Sequence, residues 1–348
     1  MQKTLALIFG GEGAERRISE LSAANVIDKI KGKIDFITVG ISDSGSWFVF
    51  KGKPEEIESG EWVKSQEKIP VYPARFNDTS GFYTRDGDFF AIDAAFPVLH
   101  GDFGEDGIIQ GALKCAHIPY FGSDVFSSAV SSDKAFTKIT AEHLGIPTLP
   151  WFIPKSKAPN DVRREAERRL GYPFFIKPRF LGSSIGASPV YTKRDFSEAY
   201  SEAMNKSDGK IMIEALANVK LELELALFDD GKRRFISKPG AICSSGKFYD
   251  FSAKYEDSSN HEIKADAKLD ASTVRKTRSM ARALADYLKL GNISRIDFFL
   301  TTSGEIYFNE INSIPGMTKT SLYPKITELY GKFKASLFEA LADGEAIT

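Results

Sequence analysis

Short apolar runs closed by glycine alternate along this chain with stretches in which apolar residues recur at helical spacing. Residues 4–9 form an apolar run ending at Gly10-Gly11, the pattern of a buried strand and its turn. A helix is predicted from about residue 15 to 30, a second strand over 35–41 and a third over 94–99. A strand-like segment at 118–121 closes this unit near Gly122-Ser123. Strand, turn and helix in alternation predict a parallel sheet with helices on its faces. A second unit holds a helix over 134–144, strands over 174–177 and 211–214, and a glycine-serine loop between those strands. In the third, Val274, Thr277, Ala281, Leu284 and Leu288 follow at spacings of three and four, one buried helix face, with Gly291 as the expected stop. Strands over 293–300 and 305–311 flank the turn Thr301-Thr302-Ser303-Gly304, which predicts a hairpin. The expected class is α/β, α+β overall, divided at 1–122, 123–217 and 218–348.

Composition narrows the classes of function. A chain of 348 residues exceeds what one core usually serves. With 46 basic and 47 acidic residues the net charge is -1, which offers no general attraction to nucleic acid or an anionic membrane. Arg163-Arg164 and Arg168-Arg169 alternate with Glu165 and Glu167, as on a solvated helix face. Cys115 and Cys243 lie far apart and without metal-type spacing, which favours a reducing compartment. The start lacks the features of a signal peptide, and no apolar run approaches the roughly 18 residues of a membrane span. A cytoplasmic location is expected.

Chemistry first shows in the hairpin. Side chains alternate across a sheet, so Arg295 and Asp297 share one face, and Phe308, Glu310 and Asn312 share one on the partner strand. A four-residue turn predicts Asp297 opposite Phe308 and Arg295 opposite Glu310. Asp297, Glu310 and Asn312 would then offer two carboxylates and an amide oxygen, a hard-oxygen set suited to Mg²⁺. The plainer alternative is a cross-strand Arg–Glu pair worth ~0.2–1 kcal/mol. Lys177 ends an apolar strand and precedes Gly182-Ser183-Ser184-Ile185-Gly186, whose small residues either let backbone N–H groups approach phosphate or serve as a linker. No GxxxxGK[ST] loop occurs. The run Gly10-Gly11-Glu12-Gly13 departs from GxGxxG, with Arg16 where the third glycine belongs, which argues against a nicotinamide cofactor. Glu15 either complements the helix dipole or holds a substrate ammonium.

Taken together the motifs resemble a family. Lys177-Pro178 with the glycine-serine loop, Arg295-Ile296-Asp297, and Asn309-Glu310-Ile311-Asn312-Ser313-Ile314-Pro315-Gly316-Met317-Thr318 are similar to the D-alanine–D-alanine ligases of the ATP-grasp superfamily. So are His100-Gly101-Asp102-Phe103-Gly104-Glu105-Asp106-Gly107 and Phe248-Tyr249-Asp250-Phe251-Ser252-Ala253-Lys254-Tyr255, and the resemblance spans nearly the whole chain. It implies a Rossmann-like N-terminal parallel-sheet domain, a small central lid domain and a C-terminal mixed-sheet domain. It implies ATP-dependent joining of two D-alanine molecules for peptidoglycan precursors, and so for cell-wall biogenesis and cell shape, by a homodimer.

The resemblance also implies residue roles. Asp297, Glu310 and Asn312 would hold two Mg²⁺ ions, with Mn²⁺ as a possible substitute, and Lys134 and Lys177 would meet the phosphates of ATP. Glu214 and Glu222 are similar to nucleotide carboxylates, with Ser183, Ser184, Ala215, Leu216, Phe248, Lys254, Asn309 and Glu310 around the same ligand. Glu15 would hold the first D-alanine's ammonium, with Ser183 and Tyr255 as hydrogen-bonding partners. Lys254 and Ser321 would take the second D-alanine's carboxylate, Leu322 its methyl group, and His100 would lie near it. Arg295 and the Gly316 N–H would stabilise an oxyanion. These roles suit the chemistry: a carboxylate becomes an acyl donor through phosphoryl transfer, an amine attacks, and charge builds on a carbonyl oxygen. Because acylphosphates hydrolyse, water must be excluded, and residues 244–261 are the expected lid; without Lys254-Tyr255 they read as an ordinary surface loop. Departures from the family pattern are Gly13 and Arg16 beside Glu15, Lys319-Thr320 before Ser321, Leu216 for an aromatic residue, Asn309 for an aliphatic one, and no glycine directly before Glu222. D-serine or D-lactate as second substrate, and a non-catalytic nucleotide-binding module, are the alternatives.

Overall fold

A computed structural model describes residues 3–229, 234–244 and 261–330. Among the described residues the strands form three sheets. The first contains β1 (Thr4–Gly10), β2 (Asp35–Ile41), β3 (Trp47–Phe50), β4 (Lys68–Phe76), β5 (Thr79–Thr84), β6 (Phe89–Ala91) and β7 (Ala94–Pro97), in the order β6-β5-β4-β3-β2-β1-β7. β1 is paired in parallel with β2 and β7, as the strand–helix alternation implies. The first helix, Arg16–Ile30, lays Ala23, Val26, Ile27 and Ile30 on Leu5, Leu7 and Phe9. Segment 118–121 adds a single parallel bridge, Ala95 to Tyr120. From β2 to β6 the pairing is antiparallel. This arm has no counterpart in the expected elements, because prolines 70 and 73 and Gly81 interrupt its apolar runs.

The second sheet holds β8 (Trp151–Phe152), β9 (Phe174–Pro178), β10 (Ser188–Val190) and β11 (Ile211–Ala215), ordered β10-β9-β11-β8. Helices Pro159–Arg169 and Phe196–Lys206 cover it, packing Val162, Ala166, Ala199 and Ala203 against Phe174, Ile176 and Ile213. The third sheet comprises β12 (Val219–Asp229), β13 (Arg234–Ile236), β14 (Gly240–Ser244), β15 (His261–Lys264), β16 (Ile293–Thr301) and β17 (Ile306–Asn312). Its order is β15-β14-β12-β16-β17, with β13 paired to β12. Helix Ala271–Tyr287 buries Ala281, Leu284 and Ala285 against Leu223, Leu225, Ile296 and Phe298. The α/β class is as expected, but the first layer is mixed, parallel only around β1, and the third layer, where a mixed sheet was expected, is antiparallel in all its described strand pairs. Among the described residues no helix is long and apolar enough to cross a membrane.

Two further expectations are corrected. The hairpin pairs Arg295 with Asn312, Asp297 with Glu310 and Phe298 with Phe308, with a register shift between Asp297 and Phe298. Asn309 is the extra residue of a β-bulge, and one extra residue reverses which face the following side chains take. Asp297 therefore does not oppose Phe308, nor Arg295 Glu310. Phe308 leaves the polar face for the core, where its ring meets Phe298 edge to face at 5.9 Å.

Nor does Gly291 stop the preceding helix. Lys289 takes a left-handed φ of 51°, and the Leu290 N–H donates to the Ala285 carbonyl at 2.9 Å, which closes the helix in a Schellman arrangement. Gly291 instead lets two backbones touch: a Cβ there would lie 1.8 Å from the Gly122 carbonyl oxygen. The contact is tied by Gly291 N–H to Ser123 Oγ at 2.9 Å and Gly122 N–H to Asn292 Oδ1 at 2.8 Å. Gly291→Ala is therefore expected to destabilise by about 1–3 kcal/mol through overpacking. Gly111→Ala, on a helix with nothing within 4 Å of the added carbon, is expected to melt at or above the wild-type temperature. Calorimetry of both variants checks this, and equal melting temperatures would refute the close-approach account.

Candidate active site

The second and third sheets, with the segments that follow β1 and β7, enclose two adjoining cavities, one of about 580 Å³ and one of about 70 Å³. Their common wall is the polar face of β12, β16 and β17, where Glu224 pairs with Asp297 and Asp297 with Glu310 across adjacent strands. Arg295 lies in this wall. It donates to Asp297 at 2.9 and 2.7 Å and lies 3.3 Å from Glu224. Burial disfavours its charge, but Asp297 and Glu224 outweigh burial and hold the guanidinium well above its usual value. Asn312 Nδ2 donates to Asp297 at 3.0 Å. Arg295, Glu224 and Glu310 line both cavities.

The larger cavity is walled opposite by β9 and β11. Lys177 donates to Glu214 at 2.5 Å, and the fully buried Lys138 pairs with the other oxygen of Glu214. Burial pushes the Lys138 ammonium down, with Glu214 opposing; burial would raise the Glu214 carboxyl, yet the two lysines hold it below its usual range. Lys134 reaches Glu310 at 3.3 Å and donates to the Leu181 carbonyl at 2.6 Å. It opens helix Lys134–His143, whose N-cap Asp133 accepts from the Ala135 and Phe136 N–H groups. Ser184, Ala215, Leu216, Glu222, Asp297 and Asn309 also line this cavity.

The smaller cavity gathers Glu15, His100, Ser183, Asn312, Gly316, Ser321 and Leu322. Glu15 sits at the N-cap of the first helix and makes no capping bond with its side chain. It is buried and accepts instead from the Ser183 hydroxyl, which joins the first helix to the glycine-serine loop. That loop turns sharply, with Ser183 and Ser184 at φ 50° and 59°. His100 is buried, and desolvation lowers its imidazole to about 4. A Cβ on Gly316 would lie 2.9 Å from Ser321 Oγ, and that hydroxyl also meets Thr318 Oγ1 at 2.7 Å.

Every expected site residue that is described thus lines one of the two cavities; Phe248, Lys254 and Tyr255, and the expected lid apart from its end residues 244 and 261, lie outside the described residues. Glu224 joins the expected residues, two positions beyond Glu222 on one strand and so open to discovery by alternation. Lys138, one helical turn after Lys134, and Thr320, which lines the smaller cavity, are also additional. Glu105, inside the motif that begins at His100, is a further one. Glu105 accepts from the Gly101 and Ile314 N–H groups, both at 3.1 Å, and burial with the charge of Glu15 pushes its carboxyl up to about 8.

Among the described residues no three His, Cys, Asp or Glu side chains are grouped to hold a metal. The set here is two carboxylates completed by an amide, Asp297, Glu310 and Asn312, on one sheet face. Each carboxylate already partners a cationic side chain, Arg295 or Lys134, so the face accommodates positive charge, and its oxygen donors fit Mg²⁺.

Comparisons with known proteins agree along the whole length. A family model described as D-ala D-ala ligase N-terminus matches residues 4–123, and one described as D-ala D-ala ligase C-terminus matches residues 140–342. A D-alanine--D-alanine ligase of Thermoanaerobacter sp. (strain X514) is 36% identical over 347 residues, covering 98% of this chain and 95% of that protein. One of Clostridium acetobutylicum is 34% identical over 350 residues, covering 99% and 98%. Among solved structures, VanG D-Ala:D-Ser ligase from Enterococcus faecalis aligns with a TM-score of 0.85 at 32% identity, over 99% of this chain and 100% of that one. The D-alanine-D-alanine ligase from Coxiella burnetii aligns at 0.83 and 27% identity, over 99% and 94%.

Glu105 gives the site a testable pH signature. Its folded value of about 8 lies above the ordinary 4.5, so its contribution to stability is complete below pH 4.5 and is lost as pH rises through about 8. Across that window the wild-type melting temperature is expected to fall relative to that of Glu105→Gln. A difference that stays flat with pH would show that Glu105 ionises normally.

Proposed function

The chain belongs to the D-alanine–D-alanine ligase family, and from that premise we propose how its residues divide the ATP-dependent joining of two D-alanine molecules into D-alanyl-D-alanine for peptidoglycan precursors. The observation that carries the proposal is the wall shared by the two cavities. A triphosphate in the larger and a carboxylate in the smaller would meet at Arg295 and Glu310, which line both.

In this reading Glu15 receives the first D-alanine's ammonium, steadied by Ser183 and Tyr255, and so turns its carboxylate toward the shared wall. Lys134 and Lys177 balance the charge of the phosphates. Glu214, Glu222, Ser184, Ala215, Leu216, Asn309, Phe248 and Lys254 surround the rest of the nucleotide. Asp297, Glu310 and Asn312 would hold two Mg²⁺ ions, or Mn²⁺ in their place. Bound there, the metal would neutralise phosphate charge and polarise the transferred group. The activated carboxyl, an acylphosphate, is then attacked by the amine of the second D-alanine. That molecule's carboxylate is held by Ser321 and Lys254, its methyl group by Leu322, and His100 borders it. As charge builds on the carbonyl oxygen, Arg295 and the Gly316 N–H stabilise it. We also propose division of the chain at 1–122, 123–217 and 218–348, a homodimer, and a cytoplasmic location.

D-serine as second substrate is the reading next in line. The likeness to a D-Ala:D-Ser ligase supports it, as does the Thr320 hydroxyl in the lining of the smaller cavity. A pocket difference of this size is worth ~1–3 kcal/mol, so the two amines are separated by competition. With ATP and Mg²⁺, ADP release is expected to depend on D-alanine, and mass analysis to find D-alanyl-D-alanine in excess over the mixed dipeptide. A predominant mixed dipeptide would transfer the assignment to D-serine. Glu310→Gln is expected to lower kcat on the order of 10²-fold; turnover at the wild-type rate would remove Glu310 from the metal site.

A further inference from the structure

The first helix faces two loops that carry site residues, and it touches them through buried polar side chains. Ser22 Oγ lies 3.0 Å from His100 Nε2, and the Met317 N–H donates to the same oxygen at 3.2 Å. Asn25 Nδ2 donates to the Met317 carbonyl at 2.7 Å. His100 Nδ1 lies 3.2 Å from the Ile314 carbonyl oxygen. Ser22, Asn25, His100 and Met317 are all buried.

Both ends of this chain of bonds have a fixed direction, because a backbone N–H can only donate and a carbonyl can only accept. The Ile314 carbonyl therefore requires the proton of His100 on Nδ1. Met317 uses the Ser22 oxygen as acceptor, which leaves the hydroxyl proton free to be given. In the Nδ1–H tautomer Nε2 is bare, and it is the acceptor within reach. The order is Met317 N–H to Ser22 Oγ, Ser22 O–H to His100 Nε2, and His100 Nδ1–H to the Ile314 carbonyl. It begins and ends on one short segment, 314–317, which includes Gly316.

From this ring of bonds we propose that Ser22 is a positioning residue for ligation: its hydroxyl fixes His100 as the neutral Nδ1–H tautomer and anchors Met317, so setting the direction of the Gly316 N–H. Two consequences follow. Nε2 of His100 is committed to Ser22, so His100 shapes the second substrate's site and takes no proton from the attacking amine through that atom. Met317 is gripped at its N–H by Ser22 and at its carbonyl by Asn25, so the oxyanion donor next to it is aimed from the first helix. The catalytic consequence rests on the reading that Gly316 faces the reacting carbonyl; the tautomer does not.

Two measurements separate these. The chain has 4 histidines, so long-range ¹⁵N–¹H spectra of the ¹⁵N-histidine-labelled full chain are resolvable, with His100→Gln giving the assignment. In the unmodified protein at neutral pH, His100 is expected to show a protonated Nδ1 and a bare, hydrogen-bonded Nε2. In Ser22→Ala the Nε2 resonance is expected to move toward that of a free pyridine-type nitrogen. kcat is expected to fall roughly 10–100-fold through misplacement of reacting groups, with KM for ATP unchanged. A protonated Nε2 in the unmodified protein would overturn the proposal, even if Ser22→Ala fails to fold. Wild-type kcat in a folded Ser22→Ala would overturn its catalytic half. Absence of D-alanine-dependent ADP release in the wild type would count against the ligase reading and leave the tautomer result standing.

Discussion

A largely buried guanidinium in the middle of a sheet cannot stand uncompensated, and the site is organised around that requirement. Arg295 lies on β16, which has β12 on one side and β17 on the other, so its counter-charges come from its own strand and a neighbour: Asp297 and Glu224. Removing one partner of a buried ion pair typically costs 3–5 kcal/mol, because the other charge stays behind in a poor solvent. The wall between the cavities is therefore stiff, and its charges are fixed before any ligand arrives. Electrostatic stabilisation of a reacting group is most effective in that condition, since no reorganisation is required at the moment of reaction.

The same hairpin must also bury Phe298 and Phe308 in the core of the third sheet, and strict alternation cannot serve both ends. Phe308 and Glu310 are two residues apart, so an unbroken strand would put them on one face. The bulge at Asn309 resolves the conflict by inserting one residue. On one side of it the strand supplies the core, and on the other it supplies Glu310 and Asn312 to the site. Asn309, the inserted residue, itself lines the larger cavity.

This explains how much the sequence discloses. Parallel strands buried on both faces appear as apolar runs, so β1, β2 and β7 were visible, as were β9, β11 and the helix carrying Ala281 and Leu284. The antiparallel arm from β3 to β6 was not, because its residues are half exposed and broken by proline and glycine. A bulge leaves no mark in an apolar pattern, and so the residues of the hairpin were identified while their pairing was misplaced. Partners set by tertiary contact were also hidden. Ser22 and Lys138 read as ordinary helix residues until His100 and Glu214 are brought against them, and Gly291 reads as a helix stop until Gly122 arrives beside it. The resemblance to a family supplied the rest of the site, because its motifs record those contacts without showing them.

The two sides of the larger cavity carry opposite charge, and this asymmetry follows from the pairings. On the wall formed by β9 and the helix after Asp133, Lys138 and Lys177 share Glu214, two ammoniums against one carboxylate. On the hairpin side, Asp297, Glu224 and Glu310 surround Arg295, three carboxylates against one guanidinium. Lys134 crosses between the sides at Glu310. With every group in its ordinary charge state, neither side is neutralised by its own members. Burial amplifies what is left over, because the low dielectric screens it less than water does. A phosphate chain accompanied by a divalent cation presents negative charge to one side and positive charge to the other. It is complementary to both walls at once, while either component alone would satisfy one wall and be repelled by the other. A preference for a metal–triphosphate pair over a bare nucleotide would thus follow from how lysines and carboxylates are divided between two sheets.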